Sequence, residues 1–293
     1  MTGATGFIGK HLCAALFTLG AEVHGLARTP TKQESIHQLW AVDLLDLESV
    51  KAVITQTHPE IVYHLAGMVT ARQDRDLILP TLRSNLLGTI HLLLALSEVG
   101  CERLVIAGSS EELGTDGGVP GSPYAAAKLA STQYALMFQR LYGVPASVAR
   151  IYMSYGPGQS PDKLVPYVAR CLLTGTSPKL SNGARVCDFT YVLDIVRGLL
   201  LVACQPAVQV VGLGTGKGVT IRDVVEMLVA LTGSASRPEY GAIPSRVGER
   251  AHVASLSATQ RALSWEPRWS LREGLTETVT WCKAELIRER DGS

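Results

Sequence analysis

The sequence predicts an α/β protein: a doubly wound parallel sheet followed by a smaller C-terminal lobe. Three observations carry that expectation. Short runs rich in Val, Ile, Leu and Ala alternate with longer helical stretches through the first half of the chain. The short runs lack polar alternation, as strands do when both faces are covered. A turn with glycines three apart, "TGATGFIG" at residues 2–9, opens a helix at the front of the pattern. With 293 residues, 46% hydrophobic and 18% charged, the chain can bury a sizeable core.

The elements follow in order. A helix is expected at 7–19, directly after the glycine turn. "AEVHGLA" (21–27), "IVYHLAG" (61–67), "RLVIAGSS" (103–110), "PASVARIY" (145–152) and "VQVVGLG" (208–214) read as strands. Helices fill the gaps at 46–57, 81–99 and 123–142. Beyond residue 155, "GPGQSPDKLVP" reads as a loop, with helices near 164–174, 190–204, 220–232 and 270–287. Residues 1–155, with parts of 185–215, are therefore expected to bind a dinucleotide. Residues from about 156 to 293 form an interleaved substrate lobe. A phosphate loop of this kind normally hangs from a buried strand, yet only Met1 and Thr2 precede it. The first strand is thus expected to be missing and the natural start to lie upstream of Met1.

Composition narrows the partners. The formal net charge is +1 and no basic block stands out, which argues against nucleic acid or an anionic membrane. The run "GLLLVAC" is too short to span a bilayer, and no signal-like segment precedes the glycine turn. Six cysteines (13, 101, 171, 187, 204, 282) are scattered without a CxxC pair. They point to small apolar residues in a reducing, cytoplasmic compartment, with no metal site.

The chemistry sits in two clusters. In the glycine turn, Gly3 permits tight folding, Gly6 lets a pyrophosphate approach, and Gly9 lets the helix pack closely. The helix N-terminus presents free N–H groups and a positive dipole end. The next strand ends at Ala27 and is followed by Arg28, not by the carboxylate that would grip an NAD ribose. Arg28 suits a 2′-phosphate, so NADP is expected ahead of NAD; it reads equally as a solvated loop arginine. Asp43 could accept from an adenine amino group or cap the next helix. In the second cluster, Tyr124 and Lys128 in "SPYAAAK" lie one turn apart on one helix face. A lysine ammonium favours the phenolate and makes the tyrosine a usable acid/base. Ser109 and Ser110, at a strand end, can bind the same substrate oxygen.

Together "TGATGFIG", "HLAG", "GSSEELG", "YAAAK" and "YGPGQS" resemble the extended short-chain dehydrogenase/reductases, the NAD(P)-dependent sugar-nucleotide epimerase/dehydratase family. The resemblance runs on through "DFTYVLDIV" and "LSWEPRWSLREGL". It implies a Rossmann-like fold, a homodimer paired through the helices at 81–99 and 123–142, and a nucleotide-sugar substrate. It makes Tyr124 the acid/base, Lys128 its partner on the nicotinamide ribose, Ser109 the hydroxyl partner and Asn85 a brace beside the substrate. It extends the cofactor site over Thr5, Phe7, Ile8, Leu44, Leu65, Ala66 and Gly67, and puts Ser110 beside the sugar. "GAEVHGLART" looks most like GDP-mannose 4,6-dehydratase, and "GSSEELG" with "GPGQS" most like GDP-4-keto-6-deoxymannose reductase. The reading leans to a GDP-hexose 4-ketoreductase or 4,6-dehydratase. A C4 epimerase and a non-catalytic NADP-binding protein are the rivals. Glu111 matches the carbon base of the dehydratases but also occurs in reductases, and Glu111–Glu112 reads alternatively as a solvated pair.

Four departures from the pattern stand out. The strand before the loop is missing, and the stretch 114–124 is short. Met153 stands where the family has Asn, and Cys187 replaces the arginine of "RDF". That arginine clamps a substrate phosphate in relatives. Arg185, two residues earlier, would share its face on an extended strand, and Arg246 matches a second clamping arginine. His64 reads as a packed histidine. Trp265 and Trp269 read as packing for the C-terminal lobe.

Overall fold

The computed structural model describes residues 1–31, 33–70, 72–114, 118–245 and 250–291. The chain divides into two compact units. The first comprises 1–151, 196–213 and 257–265; the second comprises 152–195, 214–256 and 266–293.

The first unit begins with helix α1 (Phe7–Thr18) and the parallel pair β1 (His24–Ala27) and β2 (Gln38–Ala41). Helix α2 (Leu47–Thr57) starts at Asp46, whose carboxylate accepts the Ser49 N–H. Strand β3 (Ile61–His64) leads to α3 (Ile78–Thr81), a wider π-helical stretch Leu82–Leu87, and α4 (Gly88–Val99). Strand β4 (Arg103–Ser109), a short 3-10 turn Ser110–Leu113, α5 (Pro123–Tyr142) and β5 (Ala146–Ile151) complete the run. The sheet is parallel, in the order Val210–Leu213, β5, β4, β3. Thr2 bridges both His64 of β3 and Leu26 of β1, linking this sheet to the β1–β2 pair. Residues 1 and 2 thus stand between β1 and β3. Met1 O accepts the Leu26 N–H at 2.8 Å, and Thr2 N–H donates to Tyr63 O at 2.9 Å. A cavity of about 30 Å³ lined by Met1, His24, Ile54, Val62 and Leu92 adjoins them.

Every residue of β4 is buried, which explains its unbroken apolar pattern. Val50, Ile54, Leu92, Leu93, Leu96, Leu104, Phe138 and Val148 form the main core. The helical stretch from 75 to 99 is long and apolar because one side supplies that core. Strand β2 is a finding beyond the sequence reading: "QLWA" is short and only half-buried, too weak a signal beside its loop.

In the second unit, Met153–Tyr155 pairs in parallel with Phe189–Tyr191, and Val186–Cys187 pairs antiparallel with Val219–Thr220. Helices Leu164–Leu173, Ile221–Thr232 and Leu271–Asp291 pack on one another. Tyr191 meets Trp269 with ring centroids 4.5 Å apart. The expectation that Trp265 and Trp269 pack one lobe is corrected here. Trp265 is fully buried in the first unit, and Trp269 belongs to the second.

Candidate active site

The glycine turn folds as a close cradle. Gly3 adopts φ +68°, and a Cβ there would stand 2.7 Å from Ala66 N. A Cβ on Gly9 would run into the Gly3 carbonyl, so Gly9 is spent on packing α1 against its own turn. Gly6 is the N-cap of α1 and offers no side chain to its first turn. The Lys10 N–H bonds to Gly6 O, while the N–H groups of Phe7, Ile8 and Gly9 precede the helical ladder. Gly6 is exposed and Thr5 half-buried. The arrangement fits a dinucleotide phosphate: close main chain, uncapped donors and a positive helix end.

The segment after β3 packs against this cradle. Leu65, Ala66 and Gly67 leave the end of β3, and Leu65 N–H donates to Thr2 O. Arg28 is exposed just past β1. Asp43 is exposed, and its carboxylate accepts the Leu45 N–H at 3.0 Å. Asp46, not Asp43, caps α2. Leu44 O accepts from the His91 ring at 2.8 Å.

Beside them Ser109, Tyr124 and Lys128 come together. Ser122 caps α5 and Pro123 fills its first turn, which fixes where the Tyr124–Lys128 face begins. The Tyr124 hydroxyl hydrogen-bonds Ser109. Burial pushes that phenol up to about 12, against the help of Ser109. The Lys128 ammonium donates to Ala107 O at 2.8 Å, and burial pulls it down to about 8, against the nearby charge of Glu112. Ser109 Oγ accepts the Glu111 N–H at 3.2 Å, leaving its proton for a partner. Ser110 is buried and Glu111 half-buried in the 3-10 turn. Glu112 is buried, so the solvated-pair alternative fails for that residue.

Asn85 sits on the π-helical stretch, a frequent feature near active sites. Its amide is engaged at both ends: Oδ1 accepts Met68 N–H at 2.8 Å and Nδ2 donates to Met68 O at 3.0 Å. Asn85 therefore holds the segment after β3 rather than projecting its amide away from it. Its carbonyl accepts the hydroxyls of Ser131 and Thr89. Thr89 in turn accepts from His64 Nε2 at 2.9 Å, which leaves Nδ1 to accept the Thr2 hydroxyl at 2.7 Å. Thr2 Oγ1 also accepts the Ala66 N–H. His64 is thus a neutral, fully buried link between the glycine turn and Asn85. Burial and Lys128 hold it down to about 3. The packed histidine is legible in the sequence, whereas the parts of Thr2, Thr89, Ser131 and Glu112 are not. Small hydroxyls carry no pattern of their own in a sequence.

In the second unit, Arg185 is half-buried just before the Val186–Cys187 strand, and its carbonyl accepts the Ile221 N–H. Cys187 is buried. Asp188 accepts from Thr215 N–H and hydroxyl, Gly216 N–H and Ala254 N–H, so this carboxylate organises its unit. Arg246 lies outside the described residues. None of the six cysteines forms a disulfide, and no cluster of metal ligands exists among the described residues.

The sequence matches the NAD dependent epimerase/dehydratase family over residues 1–213. The chain belongs to that family. The UDP-glucuronate 4-epimerase of Thermodesulfobacterium geofontis is 28% identical over 317 residues, spanning 98% of this chain and 97% of that protein. The UDP-glucose 4-epimerase of Thermotoga maritima, solved with UDP-glucose, has a TM-score of 0.91 and 27% identity, covering 97% of this chain and 98% of that one. The Thermus thermophilus UDP-glucose 4-epimerase, solved with NAD, has a TM-score of 0.87 and 29% identity, covering 96% of this chain and 97% of that one. This epimerase/dehydratase family member has the parallel α/β fold of those enzymes.

Proposed function

We propose that this family member is an NAD-dependent 4-epimerase of a UDP-linked hexose or hexuronate. The assembled Ser109–Tyr124–Lys128 group beside the glycine cradle carries the reading, and the 4-epimerase relatives support it over nearly the whole chain. They favour the epimerase alternative over the GDP-hexose reductase or dehydratase suggested by the sequence. The NAD complex of the Thermus thermophilus enzyme also favours NAD over the NADP expected from Arg28.

Gly3, Gly6, Gly9 and the N–H groups of Phe7, Ile8 and Gly9 would hold the pyrophosphate, with Leu65, Ala66 and Gly67 closing over it. When bound, NAD supplies a reversible hydride acceptor. Tyr124 takes the proton from the sugar 4-hydroxyl and returns it when the alcohol re-forms. Ser109 donates to the same oxygen, and the Lys128 charge favours the phenolate. Arg185 and Arg246 are proposed ligands of the sugar-linked diphosphate. The exposed apolar residues Leu82, Tyr134, Leu141 and Tyr142 support pairing of two copies through the helical stretches 81–99 and 123–142. Six cysteines outside any disulfide support a reducing, cytoplasmic setting.

The test is incubation with UDP-glucose, UDP-galactose and UDP-glucuronate plus NAD, with products resolved by NMR. Interconversion without net cofactor reduction is expected. An absence of interconversion, with NADPH-dependent reduction of a GDP-4-keto sugar, would overturn the proposal. Light scattering showing only monomer would remove the dimer.

A further inference from the structure

Glu112 has no role in the reading above, yet it is the only buried acidic residue of the first unit among the described residues. Three elements meet at its carboxylate. One oxygen accepts the main-chain N–H of Ser109 at 2.7 Å. The other accepts the Thr132 hydroxyl of α5 at 2.8 Å and the Arg150 guanidinium of β5 at 2.9 Å. Each of these partners donates, which suits an ionised carboxylate. Thr132 lies one helical turn beyond Lys128, on the same face of α5. The Glu112 side chain is fully buried, whereas that of Arg150 is 23% exposed and keeps part of its hydration.

We infer that Glu112 is a positioning residue for the reaction, a buried carboxylate that clamps Ser109 to α5 and supplies the counter-charge for the Lys128 ammonium. The inference rests on the epimerase reading of Ser109, Tyr124 and Lys128. The groups facing the site are Glu112 and Glu111 on the 3-10 turn, Tyr124 on α5, Arg150 on β5, and neutral His64 on β3. Burial opposes the charge on Lys128, and Glu112 is the counterweight. A buried ammonium without that negative neighbour would lose its proton at lower pH. The phenol of Tyr124 would then lose its cationic support within the working range. The same carboxylate also opposes Tyr124 ionisation, so its value to the reaction lies in Lys128 and Ser109.

The test is Glu112→Gln, which keeps shape and removes charge. Lys128 is followed directly by NMR of ¹³C-ε-labelled lysine, assigned with Lys128→Met, alongside the pH profile of kcat. The Lys128 midpoint is expected to fall by about one pH unit, and the alkaline limb of kcat to move with it. A purely structural Glu112 would lower the melting temperature and leave the midpoint in place; a change below about 0.3 unit overturns the inference. If Glu112→Gln does not fold, Arg150→Gln decides. It leaves Glu112 uncompensated, so the Lys128 midpoint should rise; a midpoint that stays or falls overturns the inference. A shifted midpoint in a protein inactive on every UDP-sugar would sink the epimerase reading and leave the Glu112–Lys128 coupling standing.

Discussion

Replacing Lys128 by Met should make the cofactor-free protein more stable and the enzyme nearly inactive. Lys128 is 6% exposed, and burial brings its ammonium from 10.5 to about 8. At about 1.4 kcal/mol per pH unit, carrying that charge costs the fold about 3 kcal/mol at pH 7. Met keeps most of the buried stem but loses the hydrogen bond to Ala107 O, about 1 kcal/mol. The net gain is about 2 kcal/mol, or a melting temperature higher by about 5 °C. The sign has a pH signature. Below pH 8 both folded and unfolded lysine are charged, and the penalty is full. Between about 8 and 10.5 only the unfolded chain keeps the proton, so wild-type stability climbs towards that of the variant. Above that range the advantage is gone. Thermal unfolding followed by circular dichroism at pH 7, 8.5 and 10 measures this, with UDP-sugar epimerisation measured in parallel. A variant less stable than wild type at pH 7, or a difference that does not shrink with pH, would refute the reasoning. So would a variant retaining more than about a tenth of wild-type kcat, because acid–base support of this kind is worth about 10²-fold or more. Such a trade of stability for activity is expected where a charge is buried for chemistry.

Three further outcomes are expected. Tyr124→Phe should lower kcat by about 10²- to 10⁴-fold while the melting temperature falls only a few degrees, because a single hydrogen bond to Ser109 is lost; comparable activity in the variant would remove Tyr124 as the acid/base. Gly9→Ala should abolish NAD binding in a fluorescence titration, because its methyl meets the Gly3 carbonyl, and a wild-type dissociation constant would show that the turn tolerates the change. His64 is neutral in the fold and titrates at about 3, against about 6.5 when unfolded. The unfolded chain therefore binds the proton first, and stability should fall as pH drops from 6.5 towards 3. In His64→Gln this part of the acid sensitivity should disappear from urea-unfolding curves; an unchanged pH dependence would place it on another group.

Much of the site was legible because its parts are local. Glycine at 3 and 9 answers to steric limits within one turn, and Tyr124 and Lys128 share a helix face by spacing alone. The Ser122–Pro123 start that aims that face is also written in adjacent residues. Where the reading stopped, the deciding contacts were long-range. Thr2, His64, Thr89 and Asn85 form one chain of hydrogen bonds, yet 62 positions separate the first two. Glu112 looked like half of a solvated pair until β5 brought Arg150 to it from 38 residues away. The two tryptophans, four residues apart, fall in different units because packing follows the chain path and not its spacing.

By itself, then, the sequence determined the parallel α/β class, the family and the candidate residues for a dinucleotide and a proton transfer, since helix periodicity, buried-strand composition and glycine sterics act over a few residues. Only the tertiary structure decided which side chains lose water together. That loss raises Tyr124, lowers Lys128, keeps His64 neutral and gathers Ser109, Thr132 and Arg150 around the Glu112 carboxylate. Burial and the charges assembled by distant strands set those properties, and neither is encoded within any single element.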